Sequence, residues 1–158
     1  MRRLVATAIG LMAATIAYAA TKDDIRGLRL GTTLRDAYQI CTKAGPYDDR
    51  CVLPDGTYLT FWTTSKGRIY HISYHFQSTE SVDAIAASVT KEYGVKPTKE
   101  YRWGFGNFWT WKLSATATLT MNDVGSPMLG GKFDRSLMLE DEALKAADDD
   151  PTLPAPRF

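Results

Sequence analysis

The sequence predicts an α+β fold: an antiparallel sheet of about six or seven strands with two helices packed on one face. Three observations carry this. Two segments, "LRDAYQICTKAGPY" and "VDAIAASVTKEYGVKP", place apolar residues at helical spacing and end at Gly with Pro close behind. Each is followed by stretches in which apolar and polar residues alternate, the pattern of half-buried strands. Those stretches are rich in Thr, Tyr and Trp, which favour strands. The two halves together suggest a tandem helix-plus-meander repeat.

The first twenty residues stand apart. Arg2 and Arg3 precede an uncharged apolar run, Leu4 to Ile16, and then Ala17-Tyr18-Ala19. This is the layout of a secretory signal peptide, with cleavage expected after Ala19 or Ala20. The apolar run is shorter than the about 20 residues that span a bilayer, so no membrane span is expected after cleavage. The expected organisation is a signal peptide at 1–20, a single α+β domain at 21–145 and a disordered acidic, Pro-rich tail at 146–158. The expected location is periplasmic or secreted.

Within the domain, Asp24 to Leu30 reads as a short strand broken by Gly31. Thr33 can cap a helix, with Asp36 three residues on. Leu34, Ala37, Tyr38 and Cys41 share one helix face, and Gly45-Pro46 stops it. Thr57 to Thr64 and Arg68 to Gln77 alternate as two strands joined by a turn at "SKGR". Ser78 or Thr79 can cap the second helix, whose stripe is Val82, Ile85, Ala86, Val89 and Tyr93. A strand around Tyr101–Trp103 follows, then a turn, a strand from Phe108 to Leu113, and a three-residue turn into Ala117–Met121. That turn length keeps the inward parity, so Trp109, Trp111 and Leu113 continue as Ala117, Leu119 and Met121. Arg135 to Glu140 is the last strand.

Cys41 and Cys51 are the only cysteines. An exported chain meets an oxidising compartment, where such a pair forms a structural disulfide. Without Arg2 and Arg3 the chain carries 17 basic against 18 acidic side chains. No segment is strongly basic, so nucleic acid is not an expected partner. No nucleophile, metalloprotease or phosphate-loop motif occurs, and the prediction is of a non-enzyme. His71 and His75 are the only histidines; four residues apart on a strand they stand roughly 13 Å apart, too far to share a metal. No cofactor or metal is expected.

The stretch "YRWGFGNFWTW", 101 to 111, raises the question of an exposed aromatic platform. Trp109 and Trp111 have core parity, Tyr101 and Trp103 are expected to pair across the hairpin, and Phe105 and Phe108 are left outward. A second surface lies one hairpin earlier. If Leu59 and Phe61 face the core, Tyr58, Thr60 and Trp62 share the outer face with His71, Ser73 and His75. Candidate binding residues are therefore Tyr58, Trp62, His71, His75 and Phe108. Unperturbed imidazoles there would make contact with a charged partner pH-dependent near 6.5. The segment "GPYDDR" inside the disulfide loop is a further exposed polar turn of the kind small inhibitors present.

At "IRGLRLGTTLRDAYQICTKAG" and "VTKEYGVKP" the chain resembles small exported bacterial proteins of the SmpA/OmlA (BamE-like) and beta-lactamase-inhibitor-protein-like kind. Gly31, Thr32 and Thr33 match a Gly-x-Thr turn before a helix, and Gly45-Pro46 and Gly94-Val95-Lys96-Pro97 approximate its Gly-x-Pro end. The resemblance implies a non-enzymatic module that binds envelope proteins. No lipidation Cys sits near the cleavage site, which departs from the BamE-like pattern. The expected function is an exported envelope protein-binding module, of the inhibitor or immunity-factor kind. The alternative is a carbohydrate- or peptidoglycan-binding module using Trp62, Tyr58 or Phe108.

Overall fold

The computed structural model describes residues 23–45, 48–123 and 131–148. The expected signal peptide, and the tail from 149 onward, lie outside these residues. The fold is α+β. Among these residues an eight-stranded antiparallel sheet is accompanied by a small two-stranded hairpin and three helices, of which one is long.

The chain opens with that hairpin, β1 (Asp24–Ile25) against β2 (Leu28–Arg29). A single strand was expected here. Arg26 and Gly27, at φ 55 and 82, reverse the chain in a two-residue turn whose positive dihedrals suit strand twist. Ile25 and Leu28 are both buried. Helix α1 (Leu34–Ala37) follows, with Thr33 as N-cap accepting from the Asp36 amide, and runs into a 3-10 turn (Tyr38–Ile40).

The first helix is thus shorter than its apolar periodicity predicts, for a tertiary reason. Cys41 leaves the turn in an extended conformation. Thr42 then donates from its amide to the Val52 carbonyl at 2.8 Å, so sheet pairing begins before Gly45 is reached. The Cys41–Cys51 disulfide ties the two segments at that point.

Strands β3 (Lys43–Gly45), β4 (Asp48–Val52), β5 (Tyr58–Thr63) and β6 (Ile69–Ser78) form one meander. Helix α2 (Val82–Tyr93) carries the chain to the far edge of the sheet. Its N-cap is Ser81 rather than Ser78 or Thr79, and Gly94 ends it at φ 65. Strands β7 (Thr98–Arg102), β8 (Gly106–Lys112), β9 (Ala117–Asn122) and β10 (Phe133–Asp141) then return as a second meander. The sheet order is β3-β4-β5-β6-β10-β9-β8-β7. The two meanders therefore meet where β6 and β10 pair, from Phe133 opposite Ser78 to Glu140 opposite His71. The strand count exceeds the expected six or seven because the disulfide loop itself supplies β3 and β4.

One sheet face carries the core. Leu59, Ile72, Trp111, Leu119, Met121 and Leu139 are fully buried, and Trp109 is 5% exposed. Their register explains this: Ile72 lies opposite Leu139, Leu139 opposite Leu119, and Leu119 opposite Trp111. The parity expected through the turn at 114–116 holds, since Ala117, Leu119 and Met121 are buried and the intervening Thr118 and Thr120 are not. Helix α2 covers this face with Ile85, Ala86, Val89 and Tyr93. Ala37 of α1 joins the same core, and Tyr38 meets Phe61 ring to ring at 6.2 Å.

A third helix, α3 (Glu142–Asp148), continues directly from β10 and runs three residues past the expected domain boundary at 145. Asp148, expected in a solvated tail, is 3% exposed. Its carboxylate accepts from Thr64 Oγ1 at 2.7 Å and Arg68 Nε at 2.8 Å, with Lys66 Nζ 3.5 Å away. These bonds hold the Asp148 carboxyl well below the usual carboxylate range, the Arg68 hydrogen bond most of all. The helix end is thereby clamped to the β5–β6 turn.

Candidate binding face of the sheet

The face opposite the core follows from the β5–β6 register. Tyr58 lies opposite His75, Thr60 opposite Ser73 and Trp62 opposite His71. Directly opposed side chains on one face are close neighbours, and here they stack. The Tyr58 and His75 rings lie 4.5 Å apart and nearly parallel; Trp62 and His71 lie 4.3 Å apart at 22°. Arg50 rests over the outer side of the Tyr58 ring at 5.3 Å. Trp62 remains 59% exposed. The structure thus brings together four of the five predicted residues in two aromatic–imidazole pairs.

Two expectations are corrected. His71 has outward parity yet is only 7% exposed, because Trp62 covers one side of it and Tyr70 meets it edge-on. Tyr70 escapes strict alternation at a bulge: the pairing slips between Trp62 and Thr63, leaving Tyr70 without an opposite residue. Phe108 shares the face but stands on β8, four strand spacings from Tyr58, or roughly 19 Å. Its ring is capped by the Arg102 guanidinium at 4.5 Å. It belongs to a separate surface.

The polar groups beneath the aromatics form a short network. His71 Nε2 lies 2.8 Å from Ser73 Oγ, and His75 Nε2 lies 3.2 Å from Thr60 Oγ1. His71 Nδ1 has no hydrogen-bond partner within range and faces Glu140 Oε1 at 3.7 Å. Glu140 is the residue that sequence reasoning missed. It sits on β10 directly opposite His71, a pairing across 69 positions that no local pattern reveals.

Electrostatics shift the titrations of this face. Burial pushes His71 below its ordinary value, with Glu142 pulling the other way. Burial also lowers His75, helped by Arg50 and opposed by Asp134. Glu140 is pushed up to about 7, by burial first and then by the hydrogen bond and charge of Glu142, with Lys145 opposing. The group titrating near neutrality is therefore Glu140, and the imidazoles titrate lower than the sequence suggests.

The sign for stability follows. Between its ordinary 4.5 and about 7, Glu140 keeps a proton in the folded state that the unfolded chain has released. Its contribution therefore falls as pH rises through that window. The histidines act oppositely, losing stability as pH falls below 6.5. Glu140→Gln is expected to stabilise the protein by about 1 kcal/mol at pH 8, allowing for screening of a carboxyl one-third exposed, and to change little at pH 4. Thermal melts of both proteins from pH 4 to 8 measure it.

Beside the Tyr58–His75 pair, a cleft of about 390 Å³ opens between the β4–β5 turn and the ends of β6 and β10. Asp55, Thr57, Tyr58, His75, Gln77 and Asp134 are among its walls. Asp55 is fixed there by Thr57 and by an ion pair with Arg26 of the N-terminal hairpin. Among the described residues no cluster of three His, Cys, Asp or Glu could hold a metal ion, and no helix is long and apolar enough to cross a membrane. Pro46 and Tyr47 of the "GPYDDR" turn lie outside the described residues.

The architecture and the site define a small disulfide-bridged α+β protein with an aromatic-and-imidazole sheet face. Compared with known proteins, the chain matches no family model, no curated protein and no solved structure.

Proposed function

We propose that this chain is an exported protein-binding module of the cell envelope, of the inhibitor or immunity-factor kind, and that it docks its partner on the face of Tyr58, Trp62, His71 and His75. The observation that carries the reading is Trp62, 59% exposed yet fixed by stacking on a buried imidazole. A rigid aromatic on a flat, pre-formed surface loses little freedom on binding, which is why Trp and Tyr recur at the energetic centres of interfaces. A location outside the cytoplasm is supported by the disulfide together with the signal-like first twenty residues. The layout of helix then meander, given twice, supports the tandem-repeat reading and is the layout that the SmpA/OmlA-like resemblance implies.

A second reading rests on the cleft beside Tyr58. Its polar walls next to an aromatic plane suit a sugar ring, so glycan or peptidoglycan binding is the alternative. Trp62→Ala separates the two. Because Trp62 is exposed, the variant should melt as the parent does. The protein-binding reading expects loss of a captured envelope protein by at least about thirtyfold in affinity, the size of an interface hot spot, and no affinity of the parent for isolated glycans. Parent binding to peptidoglycan fragments that Trp62→Ala keeps and Tyr58→Ala loses supports the alternative. Parent-like capture by the variant would refute the assigned face.

A further inference from the structure

The sheet carries a second aromatic surface, remote from the first. At the β7–β8 turn, Tyr101, Trp103 and Phe105 are 65%, 89% and 66% exposed. Tyr101 and Trp103 were expected to pair across the hairpin, and Phe105 to face outward at the turn. Instead Tyr101 lies opposite Asn107 and the last paired residue is Arg102, opposite Gly106, which leaves Trp103 and Phe105 beyond the ladder. The Phe105 amide bonds to the Arg102 carbonyl at 2.9 Å, closing a tight turn in which Gly104 takes φ 78. That dihedral is available to glycine at little strain, and it sets Trp103 at the corner of a protruding tip.

Two cations flank this tip. Arg102 stands beside Trp103 and Lys99 three residues down β7, with Glu100 between them, whereas Lys96 and Lys112 lie at the other end of the ladder, where Thr98 pairs with Thr110. Lys99 and Arg102 lie over the Trp109 and Phe108 rings at 4.5 Å each, which holds both cations at the root of the tip. Their ion pairs, Lys99 with Asp83 at 3.7 Å and Arg102 with Glu100 at 3.4 Å, are exposed and contribute little. Trp, Tyr and Phe backed by cations is the composition that settles at the headgroup level of a bilayer.

We infer that the β7–β8 tip is a membrane-surface contact: Trp103, Phe105 and Tyr101 enter the interfacial layer of an anionic phospholipid bilayer while Lys99 and Arg102 meet its headgroups. Three side chains give reversible attachment, not a span. This inference is independent of the partner face, which lies on β5 and β6.

The test uses the chain from residue 21 onward, which carries every element described above, because the apolar run at 4–16 would itself partition into lipid. Co-sedimentation is measured with vesicles of phosphatidylglycerol and phosphatidylcholine, and of phosphatidylcholine alone. The parent should partition onto the anionic vesicles, more weakly as salt is raised. The Trp103→Ser, Phe105→Ser double variant should lose partitioning by about tenfold or more while melting as the parent does. Trp103→Phe should keep partitioning within about threefold but lose most of the blue shift in tryptophan emission on vesicle addition. Absence of parent partitioning, or an unchanged double variant, overturns the inference. So does concentration-dependent self-association of the parent that the double variant abolishes without any vesicle binding, which would assign the tip to a second copy.

Discussion

Trp111→Ala is expected to lower the unfolding free energy by about 3–5 kcal/mol, the range for truncating a fully buried large aromatic. The indole is completely buried, lies opposite Leu119, and donates from Nε1 to Thr90 Oγ1 of α2 at 3.0 Å. Its loss would leave a cavity between the sheet and the one long helix. It would also remove a specific tie between the second meander and that helix. For a domain of this size the melting temperature should drop by about 10 °C or more. A variant that melts like the parent would mean that the indole is not a core residue. Trp103→Ala, eight residues away in sequence at the opposite end of the β7–β8 ladder, serves as the control and should melt within about 1 kcal/mol of the parent.

Breaking the disulfide is expected to have the next largest effect. Cys41 and Cys51 are ten residues apart, and closing so short a loop in the unfolded chain stabilises by about 3 kcal/mol in the chain-entropy description. Cys51 is fully buried opposite Leu59, so alanine is the better replacement; serine would bury a hydroxyl. The Cys41→Ala, Cys51→Ala variant should unfold at lower denaturant concentration by an amount worth about 3 kcal/mol. The parent in strong reductant should match it. Equal midpoints for the parent with and without reductant would show that the bridge contributes nothing. The bridge lies where the first helix ends, so the variant gives a direct reading of whether α1 would lengthen without it. Far-ultraviolet dichroism at a temperature where both are folded would record that change.

Much of the fold was legible because its determinants are local. Alternation in 57–64 and 68–77 gave the strands, and their relative parity placed Tyr58 and Trp62 beside His75 and His71 without any knowledge of the turn. Val82 to Tyr93 announced α2 through its stripe and its terminal Gly94. The parity rule through Ser114–Thr116 carried the core assignment from Trp111 to Leu119 because a three-residue turn leaves the count of alternating faces unchanged. The first helix was overestimated because Cys41 fits helical spacing and equally fits a bridge to a strand. Only the Thr42–Val52 pairing decides between them. The exposed Phe105 was legible as a turn residue, but Trp103 was expected in the strand pairing, and the hairpin register sets it one step past the last strand pair.

By itself the sequence determined the elements whose signals lie within a dozen residues: the cysteine pair, the strand parity, the stripe of α2, and the tryptophans at 109 and 111. The tertiary structure decided what depends on contacts between distant segments. The union of the two meanders through β6 and β10 set Glu140 against His71. The clamp from Asp148 to Thr64 and Arg68 makes Asp148, expected in a solvated tail, the end of a helix. Both belong to the same physical class. A buried or half-buried charge is tolerated only where a particular partner meets it, and that partner lies 69 or 80 positions away in the chain. Alternation within a strand records which face a side chain takes; which strand stands beside it is settled only when the whole sheet assembles.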